Sequence, residues 1–232
     1  MPRRLAALAL CTCLLALPAC GDDDDQPAAT TAASEQPAAT TEQAAGGCTA
    51  VERPGPKDAE VAKPTGKLDP AKAWTATVRT NCGDFTITLD VKRAPKTAAS
   101  FAHLAREGFF DGLSFHRIVP GFVIQGGDPR GDGTGGPGYS VEEAPPQDVR
   151  YTKGVVAMAK TAQEPAGTSG SQFYVVIGDD AGLPPEYALV GEVTKGLDVV
   201  ERIGGLPLQS DDPQGAPPAD PVVMSSVDVA SR

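Results

Sequence analysis

The chain has 232 residues, enough for one full domain with a tail or two small domains with thin cores, and one domain is the expectation. A formal net charge of -10 argues against an electrostatic nucleic-acid binder, which needs a basic face to neutralise phosphates. Part of that charge is one acidic run, residues 22–25, read as a solvated, self-repelling segment with no chemistry of its own.

The first nineteen residues have the layout of an export signal. Arg3 and Arg4 form a positive start, and residues 5–17 form an apolar stretch too short to span a bilayer comfortably. Leu17, Pro18, Ala19 and Cys20 then match a bacterial lipobox, in which the signal is cut before a cysteine that takes lipid on its thiol and new amino terminus. The expectation is a protein exported and held on the extracytoplasmic face of the cell membrane by a lipid anchor at Cys20. An ordinary secretory signal would release it instead. Cys11 and Cys13 leave with the signal, so Cys48 and Cys82 remain, either as a disulfide in an oxidising compartment or as two free thiols.

Residues 20–70 are mostly Ala, Thr, Gln, Pro, Gly, Asp and Glu, and the phrase QPAAT occurs twice. Such a composition buries no core and predicts a flexible spacer. The folded domain is expected over residues 71–232. It opens with two β-rich runs, 75–80 and 85–89, which read as a hairpin. Pro95 followed by Ala98, Phe101, Leu104 and Ala105, ending before Gly108, has helical spacing with suitable start and stop residues. Further strands are expected at 114–119, 122–125, 154–159, 172–177, 188–194 and 222–229, with a second short helix marked by Leu197, Val200 and Ile203. Eight short strands with glycine-rich turns and two isolated helices predict a mainly β protein, a closed eight-stranded antiparallel barrel capped by two α-helices.

Several catalytic patterns fail on inspection. Residues 131–136, GDGTGG, fit a dinucleotide-binding glycine pattern, but Pro137 and Gly138 follow where a helix should open. As a calcium loop the same region has Arg130 in place of a ligand oxygen and Tyr139 in place of the bidentate glutamate. With His103 and His116 the chain's two histidines, no multi-histidine metal centre can be assembled. GTSGS at 167–171 misses the serine nucleophile elbow at its last residue.

The remaining segment is FHRIVPGFVIQGGD, residues 115–128. On a regular strand Arg117 and Val119 face one side, and Phe115 and Ile118 cannot both join them. Together with GTGGPGY at 133–139, VAMA at 156–159 and GSQFY at 170–174, it resembles the cyclophilin family of peptidyl-prolyl cis-trans isomerases, with the motifs in their proper order over about residues 73–230.

The resemblance implies the eight-stranded barrel with two helices, and rotation about X-Pro bonds of polypeptide substrates without a cofactor, metal or covalent intermediate. It makes Arg117 the catalytic residue and places Phe122, Val123, Tyr174 and Leu183 around the proline ring. Gln125, counted with Arg117 as catalytic, and Gln172 flank the pocket as hydrogen-bonding groups. Ala159, Lys160 and Thr161 lie where the family binds the peptide backbone, and Tyr187 takes the usual histidine position. Here Val123 replaces a longer methionine, Tyr174 a phenylalanine and Lys160-Thr161 an Asn-Ala pair, so the pocket is altered but present. Nothing in the sequence suggests a coiled coil or docking helix, and a monomer is expected. A lipoprotein that holds proline segments without turnover, as chaperone or scaffold, is the alternative.

Overall fold

The computed structural model of the protein describes residues 45–232; the expected signal segment and Cys20 lie outside the described residues. Strand β1 (Trp74–Thr80) and strand β2 (Gly83–Leu89) form the expected hairpin, and helix α1 (Pro95–Arg106) follows. Then come β3 (Phe115–Val119), β4 (Val123–Gly126), β5 (Val141–Glu142), β6 (Val155–Met158), β7 (Thr168–Ser169), β8 (Phe173–Val176), β9 (Leu189–Lys195), α2 (Leu197–Gly204) and β10 (Met224–Ser231).

Eight strands make one antiparallel sheet in the order β10-β1-β2-β9-β6-β8-β4-β3. The sheet curls until its two outer strands meet. Ser114 bridges Val223, and the amides of Phe115 and Met224 donate to the carbonyls of Val222 and Leu113. Closure is therefore a short seam, not a full ladder. The pair β5 and β7 stands apart as a two-stranded ribbon.

Alternation sends Phe85, Ile87, Ile124, Val156, Met158, Phe173 and Val175 inward, where they form one core with both helices. Phe101 and Phe110 meet Phe173 edge-on at 5.3 and 5.7 Å between ring centroids, so α1 closes one end through aromatic contacts. Helix α1 has proline in its first turn and no side-chain cap of its own. Instead the Glu143 carboxylate accepts the amides of Lys96 and Thr97 and the Thr97 hydroxyl, which satisfies donors that a helix start leaves open. Helix α2 buries Val199, Val200 and Ile203 in the same core.

The composition-based spacer is wrong for its second half. Cys48 and Leu68 are buried, and Ala59 and Val61 pack against the core. A disulfide joins Cys48 to Cys82, and Thr49 exchanges hydrogen bonds with Asn81. Residues 48–68 thus form a strap on the domain. A segment poor in large apolar residues is held here by a few apolar contacts, hydrogen bonds and one crosslink, which composition does not register.

Candidate active site

Strand β3 contains a bulge. Phe115 pairs with Gly126 and Arg117 with Gln125, so His116 is the extra residue. Regular alternation would send Phe115 outward with Arg117. The bulge reverses this: Phe115 and Ile118 are both fully buried in the core, and Arg117 and Val119 point outward. His116 is left buried with both ring nitrogens unpartnered among the described residues. Burial holds it below the ordinary histidine range and hence neutral at pH 7.

The outward row on β3, β4 and β8 carries the site. Arg117, Gln125 and Tyr174 are register partners across the three strands. The Arg117 Nη1 donates to Gln125 Oε1 at 2.8 Å, and its Nε donates to the Gln214 carbonyl at 2.6 Å. Gln125 Nε2 donates to Gln172 Oε1 at 3.0 Å, and Gln172 Nε2 donates to the carbonyls of Gly133 and Gly135 at 2.9 and 3.0 Å. The row has a polarity. The two carbonyls accept only, so the Gln172 amide nitrogen must face them and its oxygen must face Gln125. Gln125 in turn must present its own oxygen to Arg117. Burial lowers the Arg117 pKa, partly offset by Asp212, and a guanidinium so placed remains a cation at neutral pH.

Gln214 reaches Arg117 because its loop lies flat on β3. Ala216 exchanges both backbone bonds with Ile118. Gly215, at φ 94°, fits there because a Cβ would meet the Ile118 carbonyl oxygen at 2.7 Å and the Val119 side chain at 2.6 Å.

Beside the guanidinium lies a second apolar cluster, separate from the core. Val123, Tyr151, Ala157, Tyr174 and Val176 form its buried floor, and Val119, Phe122, Ala159, Leu183 and Tyr187 stand half-buried around it. The rings of Tyr151, Tyr174 and Tyr187 meet pairwise at 5.7 to 6.4 Å. The Tyr151 hydroxyl donates to the Tyr187 carbonyl at 2.6 Å and accepts the Tyr187 amide at 3.0 Å, which fixes the segment carrying Tyr187. Burial pushes the Tyr151 hydroxyl up to about 12. A cleft of about 540 Å³ leaves this region past Gln125, Gln172, Ala159, Lys160 and Thr161 and ends among residues 133–140.

The residues expected to act on or bind substrate lie along the row, the apolar cluster and the cleft, but two are used differently from expectation. The Lys160 ammonium lies 3.5 Å from Glu186 and 5.4 Å from the Tyr187 ring centre, and the amide and hydroxyl of Thr161 both donate to Glu164. Both side chains, and the Thr161 amide with them, are committed to the rim. Sequence reasoning missed Tyr151, Gln214 and Gly215. The last two sit in a polar turn with no pattern pointing to β3, whereas Tyr151, a large aromatic beside a short strand, was a detectable signal.

Tyr174 has a cost that phenylalanine would not. Its hydroxyl is buried with no hydrogen-bond partner among the described residues, and burial pushes its pKa well up. Tyr174→Phe should leave isomerisation within about twofold and raise stability by about 1 kcal/mol, read as a higher urea midpoint, because an unsatisfied buried hydroxyl is removed. A lower midpoint would show that the hydroxyl has a partner.

An apolar pocket for a small ring, a cation aimed along its rim and a cleft for extended backbone, all on the outer face of a curled antiparallel sheet, define a proline-directed peptide isomerase. The family description "Cyclophilin type peptidyl-prolyl cis-trans isomerase/CLD" matches residues 75–229. A peptidyl-prolyl cis-trans isomerase of Helicobacter pylori is 40% identical over 136 residues, 57% of this chain and 82% of that protein. Peptidyl-prolyl cis-trans isomerase A of Mycobacterium tuberculosis is 36% identical over 179 residues, 69% of this chain and 94% of that protein. A crystal structure of a Cryptosporidium parvum cyclophilin-type isomerase, solved in the presence of the dipeptide Ala-Pro, superposes with a TM-score of 0.61 at 28% identity, covering 68% of this chain and 99% of that one. The chain belongs to the cyclophilin-type peptidyl-prolyl cis-trans isomerase family, and it is an enzyme of that activity.

Proposed function

We propose that this isomerase acts on proline-containing polypeptides outside the cytoplasm, tethered to the membrane by lipid on Cys20, with Arg117 as its catalytic residue. Rotation about an X-Pro bond breaks amide resonance, and without help it takes tens of seconds or longer. As conjugation is lost the proline nitrogen becomes a better hydrogen-bond acceptor. A guanidinium beside it stabilises the twisted amide more than the planar one, which is the condition for a rate gain. The observation that carries this assignment is that Arg117 is held from two sides, by Gln125 and the Gln214 carbonyl, next to an apolar pocket.

Phe122, Leu183 and Tyr187 would clasp the ring over Val123 and Tyr174, while the substrate backbone runs along Ala159, Lys160 and Thr161 beside Gln172. Gln125 acts through Arg117: each end of its amide makes a bond within the row, so it positions the cation.

The extracytoplasmic address is supported by the signal-like start of the chain and by the Cys48–Cys82 disulfide, since such bonds persist in oxidising compartments. Expression of the full chain in a bacterium competent for lipoprotein export should place isomerase activity in the membrane fraction, with mass spectrometry showing a diacylglyceryl group on Cys20. Cys20→Ala should shift that activity to the soluble fraction. A mature protein that begins elsewhere and carries no lipid would overturn the anchor, and activity retained in the cytoplasm would overturn the address.

A further inference from the structure

The loop of residues 129–138 provides the carbonyls that end the Arg117 row, yet it has little of its own to hold a shape. Glycine occupies positions 131, 133, 135, 136 and 138. Such a stretch has many accessible conformations to lose on folding. Inside it, Asp128 accepts the amides of Arg130 and Gly133, and Asp132 accepts the amide and hydroxyl of Thr134. Its two ends are held from outside by the strap. The Lys57 amide donates to the Pro129 carbonyl at 2.9 Å, and the Val61 amide donates to the Pro137 carbonyl at 3.0 Å.

The strap is itself anchored along its length. The Cys48–Cys82 disulfide fixes its start, Arg53 donates to the carbonyls of Pro218 and Ala219, and Lys57 Nζ donates to the Asp111 carbonyl. Further on, the His103 ring is 2.8 Å from the Ala62 carbonyl and Leu68 is buried in the core. All of these strap residues precede the stretch matched by the family, residues 75–229, so the brace lies outside the matched domain.

We propose that Lys57 and Val61 are positioning residues of the isomerase site: their backbone amides hold both ends of the glycine-rich loop so that the Gly133 and Gly135 carbonyls keep the Gln172 amide turned one way. That orientation passes to Gln125 and presents an acceptor to Arg117. Released from the strap, the loop samples conformations in which those carbonyls leave Gln172. Its amide can then turn, and a turned Gln125 would set a donor against the guanidinium donor. The cation would lose the bond that aims it. The proposal rests on the assignment of Arg117 as the catalytic group, and the experiment separates the two.

The test uses the full, oxidised chain and NMR exchange on an Ala-Pro peptide. Val61→Pro and Lys57→Pro each delete one strap amide, and Lys63→Ala trims an exposed strap side chain while keeping every amide. Each proline variant should lower kcat by about fivefold, the effect of one ordinary hydrogen bond lost, with KM within about twofold. Lys63→Ala should turn over within about twofold of the parent. In a Gln172→Ala background Val61→Pro should cause no further loss, because its effect runs through Gln172. Parent-like kcat in both folded proline variants would overturn the proposal, as would an equal loss in the Gln172→Ala background or an equal loss in Lys63→Ala. Failure of both proline variants to fold would also overturn it, placing the strap in stability instead. If Arg117→Ala alone is harmless while the coupling to Gln172 persists, the assignment of Arg117 fails and the brace stands.

Discussion

Arg117→Ala should lower kcat for X-Pro isomerisation by about 10²- to 10³-fold, the range expected when one preorganised donor to a developing acceptor is removed. KM should change little, because the planar ground state gains little from the guanidinium and the pocket walls remain. The fold should persist. Arg117 is on the outer face and only half-buried, and the two groups it leaves, Gln125 Oε1 and the Gln214 carbonyl, gain access to water in its place. Arg117→Lys should recover only part of the loss, since a lysine ammonium cannot bond Gln125 and Gln214 while keeping a planar edge toward the substrate. Protease-coupled or NMR exchange assays, with circular dichroism as the control for folding, measure this directly. Near-parent turnover in a folded Arg117→Ala protein would remove the residue from the mechanism.

The second large effect is on stability. Cys48 and Cys82 are 34 residues apart and both buried. Closing a loop of that length in the unfolded chain is worth about 3 to 4 kcal/mol, so Cys82→Ser, or reduction with dithiothreitol, should lower the thermal midpoint by about 10 °C. The loss has a local component as well. Without the bond, the strap's start is held only by the exchanged hydrogen bonds between Thr49 and Asn81 and by Arg53 on the loop before β10. Scanning calorimetry with and without reductant tests this; an unchanged midpoint would mean that the crosslink constrains neither state.

Much of the fold was legible because its signals are local. Apolar and polar positions alternate along β1 and β2, β6 and β8 are short apolar runs between turn residues, and Pro95 opens α1 where a proline costs least. The ribbon of β5 and β7 was not legible: each strand has two residues, too few for a period to show. The bulge at His116 was invisible for a different reason. It depends on which residue of β4 opposes Phe115, a fact of pairing that one strand's sequence does not contain.

The site divides in the same way. Arg117, Phe122, Gln125 and Gln172 belong to long ordered motifs and were found. Gln214 and Gly215 reach Arg117 from nearly a hundred residues away in the chain and were not. The strap was misread because a disulfide, scattered hydrogen bonds and a few small contacts such as Leu68 hold it, and none of these makes a compositional signal. Lys160 and Thr161 line the cleft, and their commitment to Glu186 and Glu164 emerges only from the assembled rim.

The sheet order has a consequence for how this enzyme comes into being. β1 pairs along its whole length with β10, the last strand of the chain, from Trp74 opposite Ser231 to Thr80 opposite Met224. A chain made amino terminus first therefore has one edge of β1 waiting for β10, and Ala76 and Val78 still lacking part of their core. Contacts so distant along the sequence form slowly, and an open edge is a template for wrong partners in the interval. Maturation must wait for the carboxy-terminal strand to be synthesised, so partial translation products would be inert and prone to self-association.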